Sequence, residues 1–201
     1  MNEKPVYFKT GAIQIEGLYA ASDGDHGVVV SHPHPRMGGS MRNNVVEALA
    51  EAFYKNGYAT LRFNFRGVGR SEGRYDEGNG EQDDLIAAVS FLESEGKRKI
   101  VLAGYSFGAW ITTGMLKRSP DISDVVLVSP PIDFLGFDWS GSAGRIGLVI
   151  CGDRDQFCPL DSLKRLVDSI GCRLEVVRGA DHFYFMKEQV LKGGIDAYLK
   201  S

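Results

Sequence analysis

Short continuous apolar runs alternate with segments of helical period along most of the chain. The runs at residues 27–31, 99–104, 125–128 and 148–151 are rich in valine, isoleucine and leucine. They lack polar alternation, as strands covered on both faces do. Strands at 58–65 and 172–177 extend the series. Between them, one helical segment aligns Val45, Leu49 and Phe53 and closes at Gly57, and a second aligns Leu85, Val89 and Leu92 and closes at Gly96. Further helices are expected at 107–117, 160–170 and 184–199, the last weakened by Gly193 and Gly194. The N-terminus reads differently. Ile13 and Ile15 alternate with Gln14 and Glu16, and residues 6–10 precede them across Gly11, which predicts an antiparallel hairpin with one exposed face. The whole pattern predicts a single α/β domain over 1–201, a mostly parallel twisted sheet of about eight strands with helices on both faces. Ligands of such sheets bind beyond the carboxyl ends of the strands, so chemistry is expected in the strand-end loops.

Composition narrows the function. A net charge of −3 over 201 residues gives no basic surface for nucleic acid or anionic lipid. A hydrophobic content of 43% argues against disorder. No apolar run approaches the roughly 20 residues of a membrane span, and the first residues lack the apolar core of a signal peptide. A cytoplasmic protein is expected. Cys151, Cys158 and Cys172 have no zinc spacing and read as small buried thiols.

The strongest chemical signal follows the run at 99–104, where Gly104-Tyr105-Ser106-Phe107-Gly108 stands between a strand and a helix. This is G-x-S-x-G in the setting of a nucleophile elbow, with the serine on a tight strained turn and glycines that let strand and helix approach. Ser106 would stand at a helix N-terminus, where free amides favour developing negative charge. Of the four histidines, His182 lies directly after the last strand and before the last helix, the place of a general base. An orienting acid is expected between them. Asp155 is favoured in Gly152-Asp153-Arg154-Asp155, with Asp153 as its rival and Asp133 as a third candidate; Asp181 reads as a turn residue.

The order Ser106, Asp155, His182 is that of the α/β-hydrolase fold. On these motifs, and on the stretch Phe63-Asn64-Phe65-Arg66-Gly67-Val68-Gly69-Arg70-Ser71, the whole chain resembles a compact α/β-hydrolase. It is similar to the small bacterial hydrolases grouped near dienelactone hydrolase. Two departures stand out. Dienelactone hydrolases carry a cysteine where this chain has Ser106, so their substrate class does not transfer. Many relatives have His-Gly after the third strand where this chain has His32-Pro33. The resemblance implies a serine hydrolase that cleaves a small carboxylic ester or thioester through an acyl-enzyme, without cofactor or metal, as a monomer or homodimer. Amide or peptide hydrolysis by the same residues, and a non-catalytic binding protein on this fold, are the alternatives.

The resemblance also bears on Ser31-His32-Pro33-His34-Pro35. An oxyanion hole needs two backbone donors. One is expected from Phe107 and, by the position after His-Gly in relatives, the other from His34, whose proline neighbours have no N–H at all. A His-x-His metal site is the competing reading, but no H-E-x-x-H or other completing ligand pattern is present. His32 either packs beneath the loop or faces the pocket. The short segment 131–145 leaves no room for a lid domain, and Phe134, Phe137 and Trp139 become candidate pocket residues with His32, Tyr105 and Phe157. Residues 66–73 lack the spacing of a dinucleotide loop. The acidic run 75–84 reads as a solvated loop and helix start.

Overall fold

A computed structural model describes residues 1–118 and 121–201. The apolar runs form the eight-stranded sheet that the pattern predicts. Its strands are β1 (Lys4–Thr10), β2 (Ile13–Ala20), β3 (His26–Ser31), β4 (Ala59–Phe63), β5 (Lys99–Tyr105), β6 (Asp124–Val128), β7 (Ile146–Gly152) and β8 (Arg173–Val177). They lie in the order β1-β2-β4-β3-β5-β6-β7-β8. β1 and β2 form the antiparallel hairpin, and β2 joins β4 antiparallel; every later pairing is parallel.

The helices are α1 (Asn44–Lys55), α2 (Asn79–Ser94), α3 (Phe107–Met115), α4 (Leu160–Ile170) and α5 (Glu188–Leu199). Alternation along the central strands feeds two separate cores. Val29, Leu61, Leu102, Leu127 and Val149 pack on one face with Leu85, Val89 and Leu92 of α2, Ile111 of α3 and Leu163 of α4. Their neighbours Val28, Val30, Val101, Ala103, Val126 and Ile150 pack on the other face with Val45, Leu49 and Phe53 of α1 and Leu191 and Ile195 of α5. A strand buried on both sides has no polar face to expose, which is why these runs are continuous.

Several boundaries differ from the sequence reading by one or more residues, three of them as follows. β4 ends at Phe63, because Asn64 turns its side chain to the Met41 amide (2.8 Å) and to Glu16 (2.7 Å). α3 stops at Met115 rather than 117. α5 begins at Glu188, not 184, because Tyr184 and Met186 take left-handed φ values of 54° and 58° that no helix accommodates.

The acidic run is also less solvated than its composition suggests. Glu81 and Asp84 are fully buried. Glu81 accepts the amides of Asp76 (2.9 Å) and Gly78 (2.8 Å) at the start of α2, satisfying groups that a helix terminus leaves open. Asp84 accepts the Arg66 amide (2.9 Å) and pairs with its guanidinium (2.7 Å), fixing the loop after β4. Among the described residues no helix is long and apolar enough to cross a membrane.

Candidate active site

The site is built where β5 passes into α3. Ser106 has φ 54° and ψ −115°, a conformation that costs free energy in a residue with a side chain. It is held there by its amide on the Val128 carbonyl (2.9 Å) and its carbonyl under the Ala109 amide (2.9 Å). The flanking glycines are required by contact. A Cβ on Gly104 would stand 2.6 Å from the Gly108 carbonyl oxygen, and one on Gly108 2.5 Å from that of Ser31.

Three side chains from separate strand ends meet in one line. Ser106 Oγ lies 2.9 Å from His182 Nε2, and His182 Nδ1 lies 2.9 and 3.0 Å from the two Asp155 oxygens. Since a carboxylate only accepts, Nδ1 carries the proton and Nε2 is left to accept from the serine hydroxyl. Asp155 is itself oriented by the amides of Phe157 (2.9 Å) and Cys158 (3.1 Å). Its loop passes close to Ala180, whose carbonyl fills the space a Cβ on Gly152 would need. The other two acid candidates go elsewhere. Asp153 is exposed and accepts the Gly179 amide (2.7 Å), and Asp133 is exposed. Asp181 accepts the Phe183 amide (3.0 Å), the turn contact expected of it.

His182 is boxed by rings. Phe157 lies 4.8 Å from it, Tyr105 5.5 Å and Phe183 5.7 Å, centroid to centroid. The Tyr105 hydroxyl donates to the His182 carbonyl (2.8 Å), and burial pushes that phenol's pKa well up. The arrangement can take a proton from Ser106 and hold the resulting imidazolium beside a carboxylate.

The two histidines after β3 diverge. His32 is fully buried; Nε2 accepts the Phe65 amide (3.1 Å), and Nδ1, which must then carry the proton, donates to the Pro33 carbonyl (2.6 Å). Its ring packs on Phe65 (4.8 Å). His32 therefore lies beneath the loop and does not line the pocket, because a ring with both nitrogens bonded inside has nothing left to offer a ligand. His34 Nδ1 accepts the Arg36 amide (3.2 Å), and its ring packs on Phe107 (4.8 Å) and Tyr75 (5.2 Å). Burial, and then the Arg36 charge, keep its pKa below the ordinary value, in line with a neutral ring. All four ring nitrogens face protein partners, so the His-x-His pattern does not converge on one point. The amides of His34 and Phe107 have no protein acceptor among the described residues.

Burial pushes the His32 imidazole down from 6.5 to about 4. Between those pH values the unfolded chain binds a proton that the folded chain refuses. The contribution is complete above pH 6.5 and lost as the pH falls to about 4, roughly 3 kcal/mol in all. Thermal melts between pH 6.5 and 4.5 should therefore fall more steeply for the native protein than for His32→Asn. Equal slopes would show that His32 is not the group that titrates.

In front of Ser106 lies a cleft of about 430 Å³, lined by Pro33, His34, Met37, Tyr105, Phe107, Phe134, Phe157, His182 and Phe183 among others. Of the candidate pocket residues, Tyr105, Phe134 and Phe157 belong to this lining. Phe137 and Trp139 do not: they stack on each other at 4.8 Å outside that lining, and Trp139 packs against the core. Once the flap folds back on α3, through Trp110 Nε1 to the Gly136 carbonyl (3.1 Å), its distal aromatics serve as anchors. Met37, Pro131, Leu135 and Phe183 were not foreseen; the adjacency of Phe183 to His182 was the one available signal.

Comparison with known proteins places the chain in a family. Residues 28–135 match the family described as serine aminopeptidase, S33, a span that contains Ser106. An uncharacterized protein of Rickettsia prowazekii is 33% identical over 96% of this chain and 87% of its own. An α/β serine hydrolase homologue from Coxiella burnetii superposes with a TM-score of 0.88 at 34% identity, over 98% of this chain and 97% of that one. A serine hydrolase without a lid from Xanthomonas campestris does so with a TM-score of 0.87 at 27% identity, over 100% of this chain and 94% of that one. With more than half the chain inside the family match and the fold shared end to end, the protein belongs to the S33 serine aminopeptidase family of α/β serine hydrolases, in a compact form without a lid domain.

Proposed function

We propose that the protein is an esterase that cleaves a small carboxylic ester or thioester through an acyl-enzyme. Ser106 Oγ attacks the carbonyl carbon while His182 Nε2 takes its proton. Collapse of the tetrahedral intermediate breaks the bond to the leaving group, which receives that proton. Water, activated by the same imidazole, then releases the acid. Asp155 holds the imidazole in the required tautomer and stabilises its cation. The amides of His34 and Phe107 hold the oxyanion. The scheme uses no cofactor. The observation that carries it is the unbroken hydrogen-bonded line from Asp155 through His182 to Ser106, opening onto an apolar cleft.

The family description raises aminopeptidase activity as a second reading. The cleft argues against it. A peptide's α-ammonium needs an acceptor, preferably a carboxylate, and no Asp or Glu stands in the lining. We also read the protein as cytoplasmic, on its three free cysteines.

A fluorophosphonate should label Ser106 and no other residue, as located by peptide mapping. An adduct elsewhere, or none in folded protein, would sink the serine-hydrolase scheme. The oxyanion assignment has its own test. His34→Pro removes one donor and should lower kcat roughly 10²–10³-fold. His34→Ala keeps the amide but loses the bond to Arg36 and the stacking on Phe107, so it should cost less. Thermal melts must show both variants folded, and an equal loss for the two would place the role in the ring, not the amide.

A further inference from the structure

The cleft is lined mainly by apolar side chains, several of them exposed to solvent. Its walls include Met37, Phe134, Leu135, Phe157 and Phe183, and no Asp, Glu, Lys or Arg. Three of these are among the most exposed large hydrophobic side chains described: Met37 at 83%, Phe134 at 63% and Phe183 at 55%. Phe185 at 77% and Met186 at 81% follow within three residues. Single exposed hydrophobics are ordinary, but a group gathered at one cleft marks a binding surface.

The segment that presents them is not slack. Tyr184 and Met186 both take left-handed φ values, which side-chain-bearing residues adopt at a cost. Tyr184 is fully buried, with its hydroxyl 2.8 Å from Ser129 Oγ and its carbonyl under the Lys187 amide (2.9 Å). This anchor turns Tyr184 inward and leaves Phe183 and Phe185 in solvent. A chain that only buried its hydrophobics would have no use for that arrangement.

We infer that this apolar track takes the aliphatic chain of the acyl group, so that the preferred substrates are uncharged medium-chain esters, hexanoyl to decanoyl. The inference rests on the esterase reading. The chain would lie against the apolar lining side chains Phe157, Leu135, Phe134, Met37 and Phe183. Full burial of one methylene is worth about a fourfold gain, and a half-open track about twofold. The rise from acetyl to octanoyl in kcat/KM should therefore be about 50-fold or more. A terminal carboxylate finds no cation in the lining, so an adipoyl ester should fall about tenfold or more below the hexanoyl one.

The test is kcat/KM for p-nitrophenyl acetate, hexanoate, octanoate and adipate monoester, each below its aggregation concentration. It should be run on the native protein, Phe134→Ser and Met186→Ser. The expected result is the steep rise with chain length, a penalty for adipate, and an octanoate-to-acetate ratio cut about fivefold or more in Phe134→Ser and less in Met186→Ser. A flat or falling profile, adipate equal to hexanoate, or a ratio unmoved by Phe134→Ser would overturn the inference while acetate turnover leaves the esterase reading standing. No turnover of any ester would overturn both.

Discussion

Ser106→Ala should lower kcat for an activated ester by about 10⁶, the loss seen when the nucleophile of a serine triad is removed. Among the described residues, the only hydroxyl within hydrogen-bonding reach of His182 Nε2 is that of Ser106. The two free amides and the cleft would remain, so a residue of acceleration over water, about 10³–10⁴, should persist. The substitution removes one oxygen at a residue whose backbone is held by Val128 and Ala109, so the melting temperature should not fall. Steady-state turnover with purified variant, checked for native contamination by fluorophosphonate titration, measures the effect. A loss of less than about a hundredfold, far short of the nucleophile's share, would mean that Ser106 is not the attacking group.

Asp155→Asn should lower kcat by about 10⁴ and leave the fold intact. The Asp155 oxygens accept from His182 Nδ1 and from the Phe157 and Cys158 amides. An asparagine can keep its oxygen on the two amides, which preserves the loop, but must then turn its NH₂ toward Nδ1. The imidazole answers by moving its proton to Nε2, and that nitrogen can no longer accept from Ser106. Asp153→Asn and Asp133→Asn should each cost less than about tenfold, because neither carboxylate touches His182. Comparing kcat for the three variants decides the acid. A severe Asp133→Asn with a mild Asp155→Asn would overturn the assignment.

Much of this was legible before the structure because each chemical group sits at a local landmark. Ser106 lies between a strand and a helix inside G-x-S-x-G, and His182 lies directly after the last strand, so each could be placed by its neighbours alone. The choice among Asp133, Asp153 and Asp155 could not. All three follow strands, and only the close passage of the Gly152 loop against Ala180 selects the one whose carboxylate reaches His182. The same limit explains His32, Phe137 and Trp139. They are chemically suited to a pocket, but whether a ring faces a cleft or a core depends on where its loop is tied.

By itself, the sequence determined the alternation of strand and helix, the hairpin, the two-faced burial of the central strands and the candidates for nucleophile and base. These follow from hydrophobic period and nearest-neighbour chemistry, which act over a few residues. Tertiary structure alone decided where α5 begins, which acidic side chains leave water, which way the His32 and His34 rings turn, and that hydrophobic residues gather at the mouth of the cleft. Those outcomes depend on contacts between segments far apart in the chain: Tyr184 on Ser129, Asp84 on Arg66, His32 on Phe65. A buried polar group must find its partner wherever the fold brings one, and no local pattern records where that will be.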